Sequence, residues 1–92
     1  MDAKSAVKVA KSYIADLFQS EGVANIGLEE LFFDERHNQW QITIGFSRKL
    51  DEIPAPKGIK PLRNPRRTYR IVTVDDGGHP VSVKHREVAD AS

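Results

Sequence analysis

The sequence predicts an α+β fold, in which one N-terminal helix packs on a four-stranded antiparallel meander sheet. Three patterns support this prediction. Residues 39–47, QWQITIGFS, alternate large apolar side chains with polar or small ones, which is typical of a strand with one buried face. Residues 3–21 repeat apolar side chains at helical spacing, and Gly77-Gly78 separates two further alternating stretches, as in a hairpin. A helix layered on an antiparallel sheet is a common architecture for a short chain.

The composition is that of one small globular domain, which we expect to span residues 1–92. The hydrophobic fraction is 39% and the charged fraction 29%, both ordinary values for such a domain. The chain has no cysteine, which excludes a disulfide framework, a thiolate metal site and a cysteine nucleophile. Met1 leads into a polar stretch rather than a signal peptide, and no apolar run approaches the roughly 20 residues of a membrane helix. We therefore expect a cytoplasmic protein with no membrane contact.

The first predicted element is a helix over residues 3–21 that covers one face of the sheet. Asp2 is the expected N-cap, and Gly22 suits the left-handed position that follows a helix. The apolar stripe that should face the sheet consists of Ala6, Ala10, Tyr13, Ile14, Leu17 and Phe18.

The predicted first hairpin joins a strand at 28–34 to the strand at 39–47 through a polar loop. If Phe33 lies opposite Trp40, then Leu31 lies opposite Ile42, and both apolar sets share one face. Trp40, the only tryptophan, is then expected at the centre of the core. This register leaves three side chains on the reverse face of the sheet: Leu28, Glu30 and Phe32.

The predicted second hairpin joins strands at 68–75 and 81–88. A two-residue Gly-Gly turn would pair Val74 with Val81 and Val72 with Val83. Pro80 cannot donate a backbone hydrogen bond, so the last strand should lie at an edge of the sheet. The reverse face would then receive Tyr69, Ile71, Thr73, Ser82, Lys84 and Arg86.

The segment 48–67 is predicted to be a long proline-rich basic loop. It contains four of the five prolines and has a net charge of +5, whereas the rest of the chain has a net charge of −4. Its basic cluster consists of Lys57, Lys60, Arg63, Arg66 and Arg67. Three interpretations are open: a solvated loop, a contact for an acidic protein partner, or a grip on nucleic-acid phosphates. The cluster has no aromatic residue for base stacking, which weighs against the third.

Three apolar side chains are predicted to lie together on the reverse face: Phe32, Tyr69 and Ile71. Several exposed apolar residues on one sheet face indicate an interface. The alternative is that the long loop folds back over them through Ile53, Ile59 and Leu62.

No motif for catalysis or metal binding is present in the sequence. The histidines fall at predicted turns or on the last strand, and the carboxylates that adjoin in sequence point to opposite faces of a strand. We therefore expect no enzyme activity, no cofactor and no metal.

The residue pattern resembles that of PepSY-like domains and, more loosely, the cystatin-like architecture. The similarity lies in W-x-I-x-I at 40–44, Y-R-I-V-T-V-D at 69–75, a glycine turn, and V-S-V-K at 81–84. It covers core and turn positions, and it implies a small α+β domain of a kind thought to bind proteins or inhibit peptidases.

Together these patterns predict a non-enzymatic binding or regulatory module. It would act through the reverse face of the sheet and the 48–67 loop, on a protein partner or on its own copy. The alternative is a nucleic-acid-binding accessory domain that uses the basic 57–67 segment.

Overall fold

The computed structural model describes residues 1–49 and 67–85, and it confirms the predicted fold class. One helix packs on a four-stranded antiparallel sheet whose strands follow one another in chain order. The elements are helix α1 at Ala3–Leu17, a 3-10 turn at Gln19–Glu21, and strands β1 at Ala24–Asp34, β2 at Gln39–Ser47, β3 at Thr68–Asp75 and β4 at Pro80–His85.

Helix α1 begins where the sequence predicts and ends earlier. The Asp2 carboxylate accepts a hydrogen bond from the Ser5 amide at 2.8 Å, which confirms the N-cap. The helix stops at Leu17, and the chain turns tightly until Gly22, which takes the left-handed conformation at φ 67°. Leu17 is the last residue of the helix and is 49% exposed. The prediction that Leu17 belongs to the buried apolar stripe was therefore wrong.

The core lies between α1 and the two central strands. Its fully buried residues are Ala6, Ala10, Ile14, Ile42, Ile44, Phe46, Val72 and Val74. The two alanines let the helix approach the sheet closely, and the Phe46 ring packs on Phe18 with centroids 5.0 Å apart. Trp40 is only half-buried, because it lies next to the hairpin at the start of β2. The prediction that Trp40 occupies the centre was therefore wrong, and Phe46 is the large aromatic residue of the core.

The first hairpin has the predicted register near its turn and departs from it further along β1. Phe33 lies opposite Trp40 and Leu31 opposite Ile42, as expected. A bulge between Leu28 and Glu30 adds one residue, which brings Leu28 opposite the core residue Ile44 and onto the helix side of the sheet. The prediction that Leu28 lies on the reverse face was therefore wrong.

The second hairpin has a longer turn than predicted. The Gly78 amide donates to the Asp75 carbonyl, and the Asp75 amide donates to the His79 carbonyl, so the turn contains three residues. Gly78 adopts φ 85°, a conformation that favours glycine. Val72 pairs with Val83 as expected. Closer to the turn, a bulge between Thr73 and Val74 shifts the register, so Pro80 rather than Val81 lies opposite Val74.

Candidate functional site

The sheet has one face that no described helix or strand covers, and we call it the open face. Helix α1 packs on the other face. Strand β2 runs through the middle of the sheet and directs alternate side chains to the open face: Gln41, Thr43, Gly45 and Ser47. The open face is the reverse face of the sequence prediction.

The three apolar residues predicted for this face all lie on it, in two separate groups. Phe32 lies on β1 opposite Gln41, whereas Tyr69 and Ile71 lie on β3 opposite Gly45 and Thr43. Phe32 is 57% exposed, and the two β3 side chains are half-buried. Strand β2 separates the two groups, so the three do not form the single cluster that the sequence predicted.

The strip of β2 between these two groups is made of short side chains. Thr43, Gly45 and Ser47 are buried although they lie on the open face. On β3 they are flanked by Ile71 and Tyr69, whereas the β1 neighbours of Gly45 and Ser47 are the small residues Gly27 and Ala24. We call this row of small buried residues on β2 the trough. This row was not predicted from the sequence, although its signal is visible as the small polar positions of QWQITIGFS.

An ion pair lies over Gly45, in the middle of the trough. Arg67 Nη2 donates to the Asn25 carbonyl at 3.0 Å and lies 3.5 Å from Glu29 Oε1. A Cβ atom at position 45 would lie 2.8 Å from that carboxylate oxygen and 2.9 Å from the guanidinium. Glycine at this position therefore leaves the space that the Glu29–Arg67 pair occupies.

Arg67 is the only residue of the predicted basic cluster that falls within the described residues. Its guanidinium is already engaged by a carboxylate and a carbonyl. The other four residues lie outside the described residues, and their predicted roles stay predictions: Lys57, Lys60, Arg63 and Arg66. The loop-covering contacts proposed for Ile53, Ile59 and Leu62 also lie outside.

The sheet topology separates charge between the two ends of the sheet. Both hairpin turns lie at one end, because β1–β2 and β3–β4 are direct antiparallel connections. This end contains the acidic residues Asp34, Glu35, Asp75 and Asp76, together with Arg36 and the Met1 amino group, which lies 3.7 Å from Asp76. The opposite end contains the basic residues Arg48, Lys49, Arg67 and Arg70. Two of these are ion-paired, Arg48 with Glu21 at 3.0 Å and Arg67 with Glu29.

Arg70 lies on the helix side of the basic end, and the sequence analysis did not single it out. Its guanidinium lies over the Phe18 ring at 5.6 Å from the ring centroid. It also donates to the Tyr69 carbonyl at 2.9 Å and lies 3.0 Å from His85 Nδ1. These contacts hold a half-buried cation against the core without placing it on the open face.

Each hairpin turn contains an aspartate that binds a histidine and nearby backbone amides. Asp34 Oδ2 lies 2.7 Å from His37 Nδ1, and this hydrogen bond is the main reason that the pKa of Asp34 is lowered. Asp75 accepts a hydrogen bond from the His79 amide at 2.8 Å, which is the main reason that its pKa is lowered. Within residues 1–49 and 67–85, no three histidine or acidic side chains are grouped as metal ligands. These pairs stabilise the turns.

Comparisons with family models, with curated proteins and with solved structures found no match to this chain. The resemblance to PepSY-like and cystatin-like domains therefore stays a prediction. In the part of the chain that the structure describes, no helix has the length and apolar character to span a membrane.

Proposed function

We propose that this protein is a non-enzymatic binding module that takes up a protein partner, or a second copy of itself, on the open face. The observation that supports this proposal best is the arrangement of Phe32 and the Tyr69–Ile71 pair on either side of the β2 trough. The Phe32 side chain is 57% exposed, and covering it with a partner would remove apolar surface from water, which favours binding. Large aromatic side chains, tyrosine among them, are common anchors of protein interfaces.

The chemistry of the open face fits binding better than catalysis. Among its charged side chains, Glu29 and Arg67 neutralise each other, and Glu30 and Lys84 lie apart on the two edge strands. Its aspartates at the hairpin end bind turn amides and exposed histidines. A reaction would need titratable groups that converge on one substrate position, and the side chains at the centre of this face are threonine and glycine.

A double substitution tests the open face directly. Phe32→Glu with Ile71→Lys should abolish capture of the partner or self-association, because it places charges on both sides of the trough. Leu17→Glu is the matched control, since Leu17 is also exposed and apolar but lies at the end of α1. Photo-crosslinking from position 41 and sedimentation of each purified variant are the measurements. If the double variant and the control captured the same proteins and sedimented alike, the proposal would be wrong.

Nucleic-acid binding through the basic 57–67 segment is the second candidate. The observation that favours it is the basic end of the sheet. There Arg67 directly precedes β3, and Arg48 and Lys49 directly follow β2. The engagement of Arg67 and Arg48 by carboxylates weighs against it, because paired guanidinium groups must break those contacts to reach a phosphate.

A further inference from the structure

Strand β1 is an edge strand with an unusual amount of exposed apolar surface. It has 11 residues, and its described neighbour is β2 on one side only. Leu28, Leu31 and Phe32 are 44%, 38% and 57% exposed. An edge strand offers unpaired backbone amides and carbonyls, so long apolar edges pair readily with another chain unless they are protected.

The opposite edge of the sheet has the usual protection. Strand β4 begins with Pro80 and carries the exposed Lys84, and its exposed large apolar side chain within the described residues is Val81. A proline and a lysine each discourage pairing. Of the two edges that the described residues form, β1 is therefore the better suited to accept a further strand.

The part of β1 that can accept a strand is residues 30–34. Two bulges interrupt the beginning of β1, between Ala24 and Gly27 and between Leu28 and Glu30. From Glu30 to Asp34 each residue has its own partner on β2 without a shift. A bulge twists an edge away from a partner, whereas a regular segment presents its backbone groups at even spacing.

The side chains of this segment define what would bind beside it. Glu30, Phe32 and Asp34 point to the open face, and Leu31 and Phe33 point to the helix side. Cross-strand neighbours stabilise a sheet when charges are opposite and apolar residues face apolar residues. A complementary strand therefore has, opposite residues 30–34, side chains in the order basic, apolar, aromatic, apolar and basic. This order is the same for a parallel and an antiparallel strand.

We infer that residues 30–34 of β1 bind an extended basic and apolar segment of a partner protein, which adds a fifth strand to the sheet. Backbone hydrogen bonds supply the pairing, and the alternating side chains supply the selectivity. The segment 30–34 contains two acidic residues, Glu30 and Asp34, and no basic residue, so a basic strand is favoured over a second β1. An antiparallel second copy centred on Phe32 would place Glu30 opposite Asp34 twice. The edge shares Phe32 with the open face but can bind whether or not that face does.

A synthetic peptide tests this inference on the full chain. The probe is Lys-Val-Tyr-Val-Lys with blocked ends, and the control is Val-Lys-Tyr-Lys-Val, which has the same composition but places its lysines on the helix side. We expect the probe to shift the backbone amide resonances of residues 30–34 and the indole resonance of Trp40. The Trp40 ring lies 4.7 Å from that of Phe33, so a strand beside Phe33 alters its surroundings. The control peptide, and a probe with N-methylated amides, should bind at least about fivefold more weakly.

Charge reversal identifies the edge and the direction of the added strand. Glu30→Lys should weaken the probe about fivefold. A probe in which one terminal lysine is replaced by glutamate should restore binding to this variant when the glutamate lies opposite position 30. For an antiparallel strand this is the C-terminal residue of the peptide. For a parallel strand it is the N-terminal residue. Lys84→Glu on β4 is the matched control for the other edge. Ile71→Lys is the control for the open face. Neither Lys84→Glu nor Ile71→Lys should change the affinity for the probe.

Three results would overturn the inference. The amide shifts could map to β4 or to the middle of the open face. The N-methylated probe could bind as well as the probe itself, which would remove backbone pairing from the explanation. Sedimentation could show a dimer of the wild-type chain that Glu30→Lys tightens, because the lysine would lie opposite Asp34 of the second copy; this would make a second copy the occupant of the edge.

Discussion

Phe46 and Trp40 differ in burial. The sequence predicts Trp40 at the centre of the core, but Phe46 is the more deeply buried of the two. Phe46 is fully buried between α1 and the sheet, whereas Trp40 is half-buried beside the first hairpin. The indole Nε1 of Trp40 is itself buried and finds no hydrogen-bond acceptor among the residues that the structure describes. Part of the value of burying this ring is therefore offset by the unpaired donor.

We predict that Phe46→Ala lowers the free energy of unfolding by about 3–5 kcal/mol, the usual range for a buried aromatic residue. Trp40→Ala should cost roughly half as much, because less of its surface leaves water on folding. Urea unfolding followed by circular dichroism measures both, since the second variant lacks the fluorescent residue. A larger loss for Trp40→Ala than for Phe46→Ala would show that the core is centred elsewhere.

The two turn aspartates should respond differently to removal of their histidines. The pKa of Asp34 is lowered chiefly by the His37 side chain, and that of Asp75 chiefly by the His79 backbone amide. His37→Ala should therefore raise the pKa of Asp34 towards its ordinary value. His79→Ala keeps the amide and should leave most of the lowering of Asp75 in place. Carboxyl chemical shifts across an acid titration measure this, and equal effects of the two substitutions would contradict it.

The same shifts fix the direction of the pH dependence of stability. A carboxyl group whose pKa is lower in the folded state stabilises the fold above its unfolded pKa of about 3.9. That contribution is lost as the pH falls from there through the lowered folded value. We therefore expect Asp34→Asn and Asp75→Asn to reduce the dependence of stability on pH below about pH 4.

At the scale of elements, α1 depends on its N-terminal cap. Asp2 accepts the Ser5 amide, one of the donors that a helix leaves unpaired in its first turn. Asp2→Ala should cost about 1 kcal/mol of stability. Asp16→Ala is the matched control, because Asp16 is exposed near the C-terminal end, where a negative charge is unfavourable and alanine is the better helix former. Thermal unfolding compares them, and equal destabilisation would show that the Asp2 bond is not a cap.

The bulges of β1 and β4 determine which surfaces these strands offer. One extra residue near Glu29 turns Leu28 to the helix side and directs Glu29 towards Arg67 across Gly45. The bulge near Val81 leaves that side chain 54% exposed at the β4 edge. The strand types followed from local periodicity, but the faces of these particular side chains depended on where each strand gained a residue.

At the scale of the molecule, the separation of charge between the two ends bears on the choice of partner. If the basic segment binds nucleic acid through five phosphates, affinity should fall with salt at a log–log slope of about −3.5 for single strands and −4.5 for double strands. Replacing Arg63, Arg66 and Arg67 with serine should then flatten the slope by roughly two to three units. For a protein partner, we expect weak oligonucleotide binding and slower association of the same variant with that partner.

Fluorescence anisotropy with short single- and double-stranded probes over a salt series separates these outcomes. We expect weak binding, because the 57–67 segment has no stacking aromatic and Arg67 already contacts Glu29. The matched control replaces Lys4, Lys8 and Lys11 on α1, which removes the same charge from another surface. Tight binding near physiological salt that the arginine variant loses and the lysine variant keeps would favour the nucleic-acid function over a protein partner.

The sequence by itself determined the elements and their order, because periods of two and of 3.6 are local properties of a strand and a helix. It also determined the Asp2 cap and the pairing of Phe33 with Trp40 and of Val72 with Val83, since neighbouring apolar sets agree on those registers. Of the candidate site, it placed Phe32, Tyr69 and Ile71 on the face away from the helix. These inferences needed only near neighbours in the chain or strands joined by a short turn.

The tertiary structure decided what depends on distant parts of the chain. A bulge leaves no mark in the composition of a strand, so the sidedness of Leu28 and the pairing of Pro80 could not be derived from periodicity. The Arg67–Glu29 pair joins residues 38 positions apart, and only the assembled sheet brings them over Gly45. Burial of Trp40 was likewise a matter of its place at the end of the sheet, because hydrophobicity states what a side chain prefers and the packing of the helix decides which side chains are covered.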